Sequence, residues 1–320
     1  MKNAEDLRHE YSLGKDTRDW SVQGAKNDIE TLDGVVTQIA YRPFDTRWTY
    51  YTGRSKGFHC MPRGNVMKHL CASSPSPIEK NIGLVFARGD STPYKFSMIF
   101  VSDTLIDNLI TAAQTAGIAY VAPFYLHNDK EMGEEWTPSF NNEVLARLTQ
   151  NLADKLTPIE IFDYVYGILH DPVYREKYNE FLKRDFPRVP IIENEEVFRK
   201  YVNAGKRLRK LHLMQTKVPA ALTLEPNTAE DLEIGAVKYK DGVLHLNKNK
   251  QIHGIPENVW AYRIGGYQVI DKWLKSHKGK TMTIDDFDHI ANIVGLLGET
   301  IKIQDELRLL SNSRGVNGRG

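Results

Sequence analysis

The stretch Thr157-Pro158-Ile159-Glu160 constrains what this chain can fold into more than any other. A threonine that can cap, a proline that fits the first helical position and a glutamate three residues after the threonine make a capping box. Ile159, Phe162, Val165, Tyr166 and Leu169 then recur at helical spacing, so a helix begins here and buries one face. Asp171-Pro172 starts a second helix, with Tyr174, Tyr178, Phe181 and Leu182 on one side, that stops before Phe186-Pro187. A third carries Val197, Phe198, Tyr201, Val202, Leu208 and Leu211. Aromatic stripes at this spacing read as core rather than as platforms for a ligand.

The flanks have a different texture. Before the helices, VVTQIAY, RWTYYT, NIGLVFAR, FSMIFVSD and AGIAYVAPFYL are short β-branched and aromatic runs bounded by Gly, Pro, Ser and Asp. Asp103 to Leu109 reads as one short helix between strands, and SSPSP at 73–77 as a loop. After the helices, Val237 to Leu246 is a hairpin turning at Asp241-Gly242. The final helix runs from about Ile284 to Leu310. Its stripe of Ile284, Phe287, Ile290, Val294, Leu297, Ile301 and Leu307 needs a partner helix or another domain to cover it. The fold class is therefore α+β: a β-rich N-terminal part, a helical middle, a small hairpin part and C-terminal helices, one of them long and amphipathic. Its expected divisions are a lead-in or linker at 1–33, trailing from a preceding domain, a β-rich recognition part at 34–135, a helical scaffold at 136–212, a second basic part at 213–310 and a disordered tail at 311–320.

The 320 residues are 41% hydrophobic and 26% charged, as in soluble globular proteins. No apolar run suits a bilayer and MKNAEDLRHE is not a signal peptide, so neither a membrane nor export is expected and the cytoplasm is. Cys60 and Cys71 are the only cysteines, too few for a disulfide framework or a four-cysteine zinc site. The net charge of +1 hides an uneven distribution. Residues 41–70 carry six Lys/Arg against the single acid Asp45, and 238–280 carry nine against three, while 131–237 carry fourteen against eighteen acids. Two basic islands around an acidic middle suggest one face turned to a polyanion.

In the first island, YRPFDTRWTYYTGRSKGFHCMPRGNVMKHL, aromatic residues alternate with cations. Such a mixture serves a nucleic-acid surface, with cations for phosphates and forked or planar groups for base edges. It serves equally as aromatic core with a solvated arginine rim.

The chemistry expected of catalysis is missing. There is no Pro-Pro dipeptide for a flipped-base motif and no GxGxxG. Gly279-Lys280-Thr281 lacks the first glycine of a P-loop, since Leu274 stands there. No lysine has an acid two positions before it, as nucleases require. Adjacent His59 and Cys60 are poorly spaced to chelate one ion, and no Gly-x-Ser-x-Gly elbow occurs. These absences point to a chain that binds rather than catalyses, with no metal or cofactor of its own. The neighbourhood of Asp45, Arg47 and His59 is the best material for an unfamiliar active site.

Several stretches, in order, resemble the C-terminal target-recognition region of type ISP restriction-modification enzymes. They are YRPFDTRWTYYT with CMPRGNVMKHL, NIGLVFAR, FVSDTLID, LTPIEIFDYVYGILHDPVYREKYNEFLKRDFPRVP and VWAYRIGGYQVIDKWLKSHKGKTMT, spread from about residue 10 to residue 310. The resemblance implies a reader of a short asymmetric DNA sequence. It implies a parent polypeptide with a nuclease, a helicase-like translocase and an adenine-specific methyltransferase, using S-adenosylmethionine, ATP and magnesium. None of those modules is in this chain.

Within that reading the expected partners are double-stranded DNA and the methyltransferase module of the same polypeptide. Arg54, Lys56, His59, Arg63 and Lys68 lie in a glycine- and proline-rich stretch whose backbone can approach a groove, and Arg88 is a further candidate. Tyr41 to Tyr51 reads as mainly structural, its aromatics in the core and Asp45 paired with Arg42 or Arg47. In the second island Tyr262, Arg263, Gly265, Gly266 and Tyr267 look like a loop leading into a helix, where two glycines let backbone approach a phosphate. Lys272, Lys275, Lys278 and Lys280 would add phosphate contacts, as would Lys238, Lys240, Lys248 and Lys250 of the hairpin part, or simply form solvated faces. The competing reading is a protein-interaction module that docks on a methyltransferase through the last helix and touches DNA incidentally.

Overall fold

The computed structural model describes residues 3–18, 20–54, 56–59, 64–71, 80–111, 118–130, 133–149 and 156–317. The fold is α+β, as the alternation of textures requires. Two short helices lead in, α1 (Ala4–Glu10) and α2 (Val22–Glu30), capped by the side chains of Asn3 and Ser21. Strands β1 (Val35–Arg42) and β2 (Asp45–Tyr51) form an antiparallel ribbon in the register Thr37↔Thr49. Helix α3 (Gly64–Cys71) follows, then β3 (Gly83–Ala87), β4 (Ile99–Ser102), β5 (Leu105–Ile106) and β6 (Ala119–Pro123). They build two sheets, ordered β2-β1-β5 and β4-β3-β6. A hairpin of β7 (Tyr125–Lys130) and β8 (Gly133–Pro138) and the helix α4 (Asn142–Thr149) complete this part.

One local expectation fails here. Asp103 to Leu109 is not helical: Leu105 and Ile106 pair in parallel with Ile39 and Ala40. The Asp107 carboxylate accepts the Leu109 amide and an Arg42 N–H, which fixes a turn in place of a helix. Gly64–Cys71, at the end of the first basic island, is a helix that buries Met67 and Leu70, and the buried His69 Nδ1 accepts the His127 amide at 3.0 Å. The SSPSP stretch lies outside the described residues.

The scaffold comprises α5 (Pro158–His170), α6 (Pro172–Lys177), α7 (Asn179–Leu182) and α8 (Glu195–His212). The capping box forms, with the Thr157 amide donating to Glu160 Oε2 at 2.8 Å, and Asp171 caps α6 through the Val173 amide. The aromatic stripes are core, since Phe162, Tyr164, Tyr166, Tyr174, Phe198 and Tyr201 are all buried, while Tyr178 is exposed. Helices α5 and α8 approach closely where Gly167 and Gly205 meet: a Cβ on Gly205 would lie 1.7 Å from the Asp163 carbonyl oxygen.

Beyond α8 lies an antiparallel sheet of β9 (Thr223–Glu225), β10 (Lys238–Lys240), β11 (Val243–His245) and β12 (Gln251–His253), ordered β10-β11-β12-β9. Its hairpin turns at Asp241 and Gly242 with φ of 52° and 80°, the two positive values that a two-residue turn needs. Then come α9 (Glu257–Trp260), β13 (Arg263–Ile264), β14 (Tyr267–Gln268), α10 (Val269–Ser276) and α11 (Ile284–Asn317). The last helix runs past the expected end near Leu310, and most of its stripe is covered without a second domain, while Ile284 at its start is exposed. Ile290, Val294, Leu297 and Leu307 are buried under this chain's own helices, and Gly295 sits so close to the Val218 carbonyl that a Cβ would lie 1.6 Å from it.

Two histidines are sealed in the core. His212 Nδ1 shares a 2.6 Å hydrogen bond with the Tyr166 hydroxyl, Nε2 one of 3.1 Å with Thr300 Oγ1, and its ring stacks on Phe100. Burial pushes His212 down to about 3 and His170 well below its ordinary value. Both are neutral in the native state, whereas the unfolded chain protonates them below its ordinary histidine pKa. Stability is therefore complete above about pH 6.5 and falls as the pH drops toward the native value near 3. At about pH 4.5 the loss from His212 alone is expected to be roughly 2–3 kcal/mol, read from urea midpoints against pH, and His212→Asn should flatten the decline.

Candidate nucleic-acid interface

The two basic islands, far apart in sequence, meet where the β1–β2 ribbon faces the start of α10. The ribbon's register shifts between Ala40 and Arg42, an irregularity of the kind that re-aims side chains. The guanidiniums of Arg42 and Arg47 lie 3.9 and 4.0 Å from the Tyr41 ring centroid. The Tyr267 ring, from β14, sits 5.3 Å from the Arg42 guanidinium and 5.3 Å from the Lys272 ammonium. Arg47 also reaches across to the Ser276 carbonyl at the end of α10, 3.5 Å away. Two carboxylates counter these cations: Asp107 pairs with Arg42 at 2.9 Å, and Asp45 with Arg47 at 2.9 Å. Both arginines are thus held in ion pairs, where at least one was expected. Burial pushes the Lys272 ammonium below its ordinary value, and Arg42 and Arg47 push it further the same way.

The other candidates lie around this cluster in varied states. Arg54 is half exposed and pairs with Asp33 at 2.5 Å. Its loop is pinned by the buried Asp28, whose carboxylate accepts the Thr52 hydroxyl at 2.9 Å and the Phe58 amide at 2.8 Å. Lys56 stands exposed in that loop with φ of 62°. His59 is half-buried, its Nδ1 3.4 Å from Thr49 Oγ1, and burial lowers its pKa while Asp107 partly opposes this. Lys68 is exposed on α3, and Arg63 lies outside the described residues. Arg88 is exposed beside Asp185 at 3.7 Å and over the Phe186 ring.

The second island departs from its expected geometry. Residues 263–268 are a tight hairpin rather than an open loop, and it runs directly into α10 with Gln268 at the N-cap. The Gly265 amide donates to the Ser97 carbonyl and the Gly266 amide to the Thr111 carbonyl, both at 3.0 Å, so neither amide is free to meet a phosphate. Gly265 has φ of 58°, and a Cβ there would fall 1.9 Å from the Thr111 oxygen, which is why glycine is needed. The Tyr262 hydroxyl accepts from Gln304 Nε2 at 3.1 Å in the interior. Arg263 lies flat over the Tyr94 ring at 3.7 Å and donates to the Gly266 carbonyl. Lys275 is exposed and paired with Asp271 at 2.8 Å. Lys250 is buried, with Nζ donating to the Pro226 and Thr228 carbonyls, so it is not a surface cation.

Tyr41, Arg42 and Arg47, read from sequence as structural, thus share a cluster with Tyr267 and Lys272. The available signal was two arginines on one acid in RPFDTR, a stretch that is under-neutralised locally. The expectation that the ribbon's aromatics are core holds for Phe44 and Tyr51, but Trp48 is 70% exposed on the edge strand β2. Among the described residues no three His, Cys, Asp or Glu side chains come together to hold a metal ion, and no helix is long and apolar enough to cross a membrane.

Residues 1–306 match the type ISP C-terminal specificity domain family. No curated protein matches the chain. Among solved structures, the chain is similar to a nuclease-deletion mutant of the type ISP restriction-modification enzyme LlaGI in complex with a DNA substrate mimic. That pair is 22% identical with a TM-score of 0.60, covering 85% of this chain and 24% of the other. It is similar also to the ATP-dependent type ISP enzyme LlaBIII bound to DNA, at 20% identity and a TM-score of 0.65 over 96% of this chain and 20% of that one. The DrdV–DNA complex gives 21% identity and a TM-score of 0.66, covering 96% and 30%. These likenesses show a shared fold, and the chain spans less than a third of each of those proteins.

Proposed function

The chain belongs to the type ISP C-terminal specificity domain family, and from that premise we propose that it reads a short sequence in double-stranded DNA on behalf of a longer restriction-modification polypeptide. The match over nearly the whole chain carries this reading. The DNA-bound state of the structural relatives supports it. Nuclease, translocase and adenine-methyltransferase steps, with their S-adenosylmethionine, ATP and magnesium, belong to other parts of that polypeptide. This chain supplies binding and no bond-breaking step.

A duplex reader anchors on phosphates and places donors against base edges. Lys56 and Lys68, exposed on the loop and helix that follow the ribbon, suit the first task. Arg54 and Arg63 are the proposed base readers, since an arginine fork against guanine discriminates by roughly 1–3 kcal/mol. The methyltransferase module of the same polypeptide remains the proposed protein partner. The reading in which the last helix makes this chain chiefly a docking module keeps only the exposed Ile284 at the start of that helix, because Ile290, Val294, Leu297 and Leu307 of the stripe are buried from within.

Selection from a random duplex pool, followed by titration at several salt concentrations, tests the proposal. The expected result is enrichment of one short sequence, a steep fall of affinity with salt, and an Arg63→Ala variant that loses more affinity for the selected site than for random DNA. Equal affinity for all duplexes at every salt concentration would sink it.

A further inference from the structure

The three cations around Tyr41 and Tyr267 are unequally neutralised. Arg42 is 8% exposed and holds Asp107, yet among the described residues its Nε has no hydrogen-bond partner. Arg47 commits Nε and Nη2 to Asp45 at 3.2 and 2.9 Å, and among the described residues its Nη1 has no acceptor. Lys272 makes no ion pair among the described residues, whereas Lys275, three positions on, has Asp271. Three positive groups against two carboxylates leave one unit of positive charge in a partly desolvated place. Lys272 meets that excess directly: burial pushes its ammonium down first, and both arginines add to the push.

Such an excess costs stability in the free protein and becomes favourable when an anion completes it. The geometry suits phosphate: an arginine whose Nη1 is uncommitted while Nε and Nη2 are held by Asp45 and the Ser276 carbonyl, a lysine on the same cluster, and two rings that hold the cations by cation–π contact before any ligand arrives. The place is also open, with the Arg47 side chain 37% exposed, so a strand can pass where a closed pocket would admit only a small free anion.

We propose that Arg47 and Lys272, held by Tyr41 and Tyr267, clamp one backbone phosphodiester of duplex DNA at the junction of the β1–β2 ribbon with α10. The clamp rests on the DNA-reading function and gives it a specific anchor, joining the two basic islands on one phosphate. Phosphate contacts carry no sequence information, so the clamp acts equally on every duplex and shows in the salt dependence.

The test uses the whole chain and two labelled duplexes of unrelated sequence, each about 25 base pairs, titrated by fluorescence anisotropy across a potassium chloride series. Lys272→Gln is expected to weaken both duplexes alike, by roughly three- to tenfold at low salt, and to lower the salt slope by about 1. Lys272→Arg keeps the charge and should restore both values. Because Lys272→Gln removes a like-charge contact, its melting temperature should equal or exceed that of the unsubstituted protein, an outcome that a packing role for Lys272 does not produce. Lys302→Gln, an exposed lysine paired with Glu299, should change neither affinity nor slope. Loss on only one of the two duplexes overturns the phosphate assignment. Unchanged affinity and slope for Lys272→Gln, with the unsubstituted protein binding both duplexes, overturns the clamp alone. No duplex binding by the unsubstituted protein overturns the DNA reading with it.

Discussion

Arg209→Ala is expected to lower stability by about 3–5 kcal/mol, measured as a shift of the urea midpoint at unchanged slope. The Asp163 carboxyl is 1% exposed in the middle of α5, and Arg209 of α8 meets it through Nε at 2.6 Å and Nη2 at 3.0 Å. Burial pushes Asp163 above its ordinary value even with the guanidinium opposing it. Removing Arg209 leaves a buried carboxylate that must either stay charged without a partner or take up a proton. A fully apolar replacement, Asp163→Leu with Arg209→Met, should recover most of the loss, since both desolvation costs vanish together. If the single variant melts like the unsubstituted protein, the pair does not hold the scaffold.

Gly205→Ala should be comparably severe, at about 3 kcal/mol or more, because the helices cannot yield. The added carbon would lie 1.7 Å from the Asp163 oxygen and 2.6 Å from its carbonyl carbon, both backbone atoms of the facing helix. Alanine's better helix propensity, worth about 1 kcal/mol, cannot offset this. Gly298→Ala is the contrasting case: its nearest neighbour would be the Val259 side chain at 4.0 Å, and the same propensity gain of up to about 1 kcal/mol should appear as stabilisation. Equal melting temperatures for the two variants would show that the α5–α8 contact has slack.

What could be read from sequence was what neighbouring residues decide. Thr157-Pro158-Ile159-Glu160 starts a helix through hydrogen bonds within one turn, and Asp241-Gly242 turns a hairpin through its own two φ angles. The scaffold's aromatic stripes were legible because burial repeats with the helix. Asp103 to Leu109 was misread because Leu105 and Ile106 pair with Ile39 and Ala40, a partner strand from far earlier in the chain. The glycines of 265–266 looked permissive, but their amides are claimed by Ser97 and Thr111, positions from another part of the chain. Covering of the last helix could not be inferred from its own periodicity, which specifies a buried face without naming what buries it. The meeting of Arg42 and Arg47 with Lys272 is the extreme case, since no local pattern encodes a contact between residues so distant.

That distance has a consequence for how the protein is made. Arg47 reaches the Ser276 carbonyl across 229 positions, and His289 reaches the Phe44 carbonyl at 2.8 Å across 245. Closing loops of that length comes late in folding, after local helices and hairpins have formed. A chain growing from the ribosome exposes the β1–β2 ribbon early but cannot join it to α10 and α11 until those helices have been synthesised. A nascent chain therefore carries its arginines long before it has assembled the cluster, and the surface built from them exists only once synthesis has passed α10 and α11.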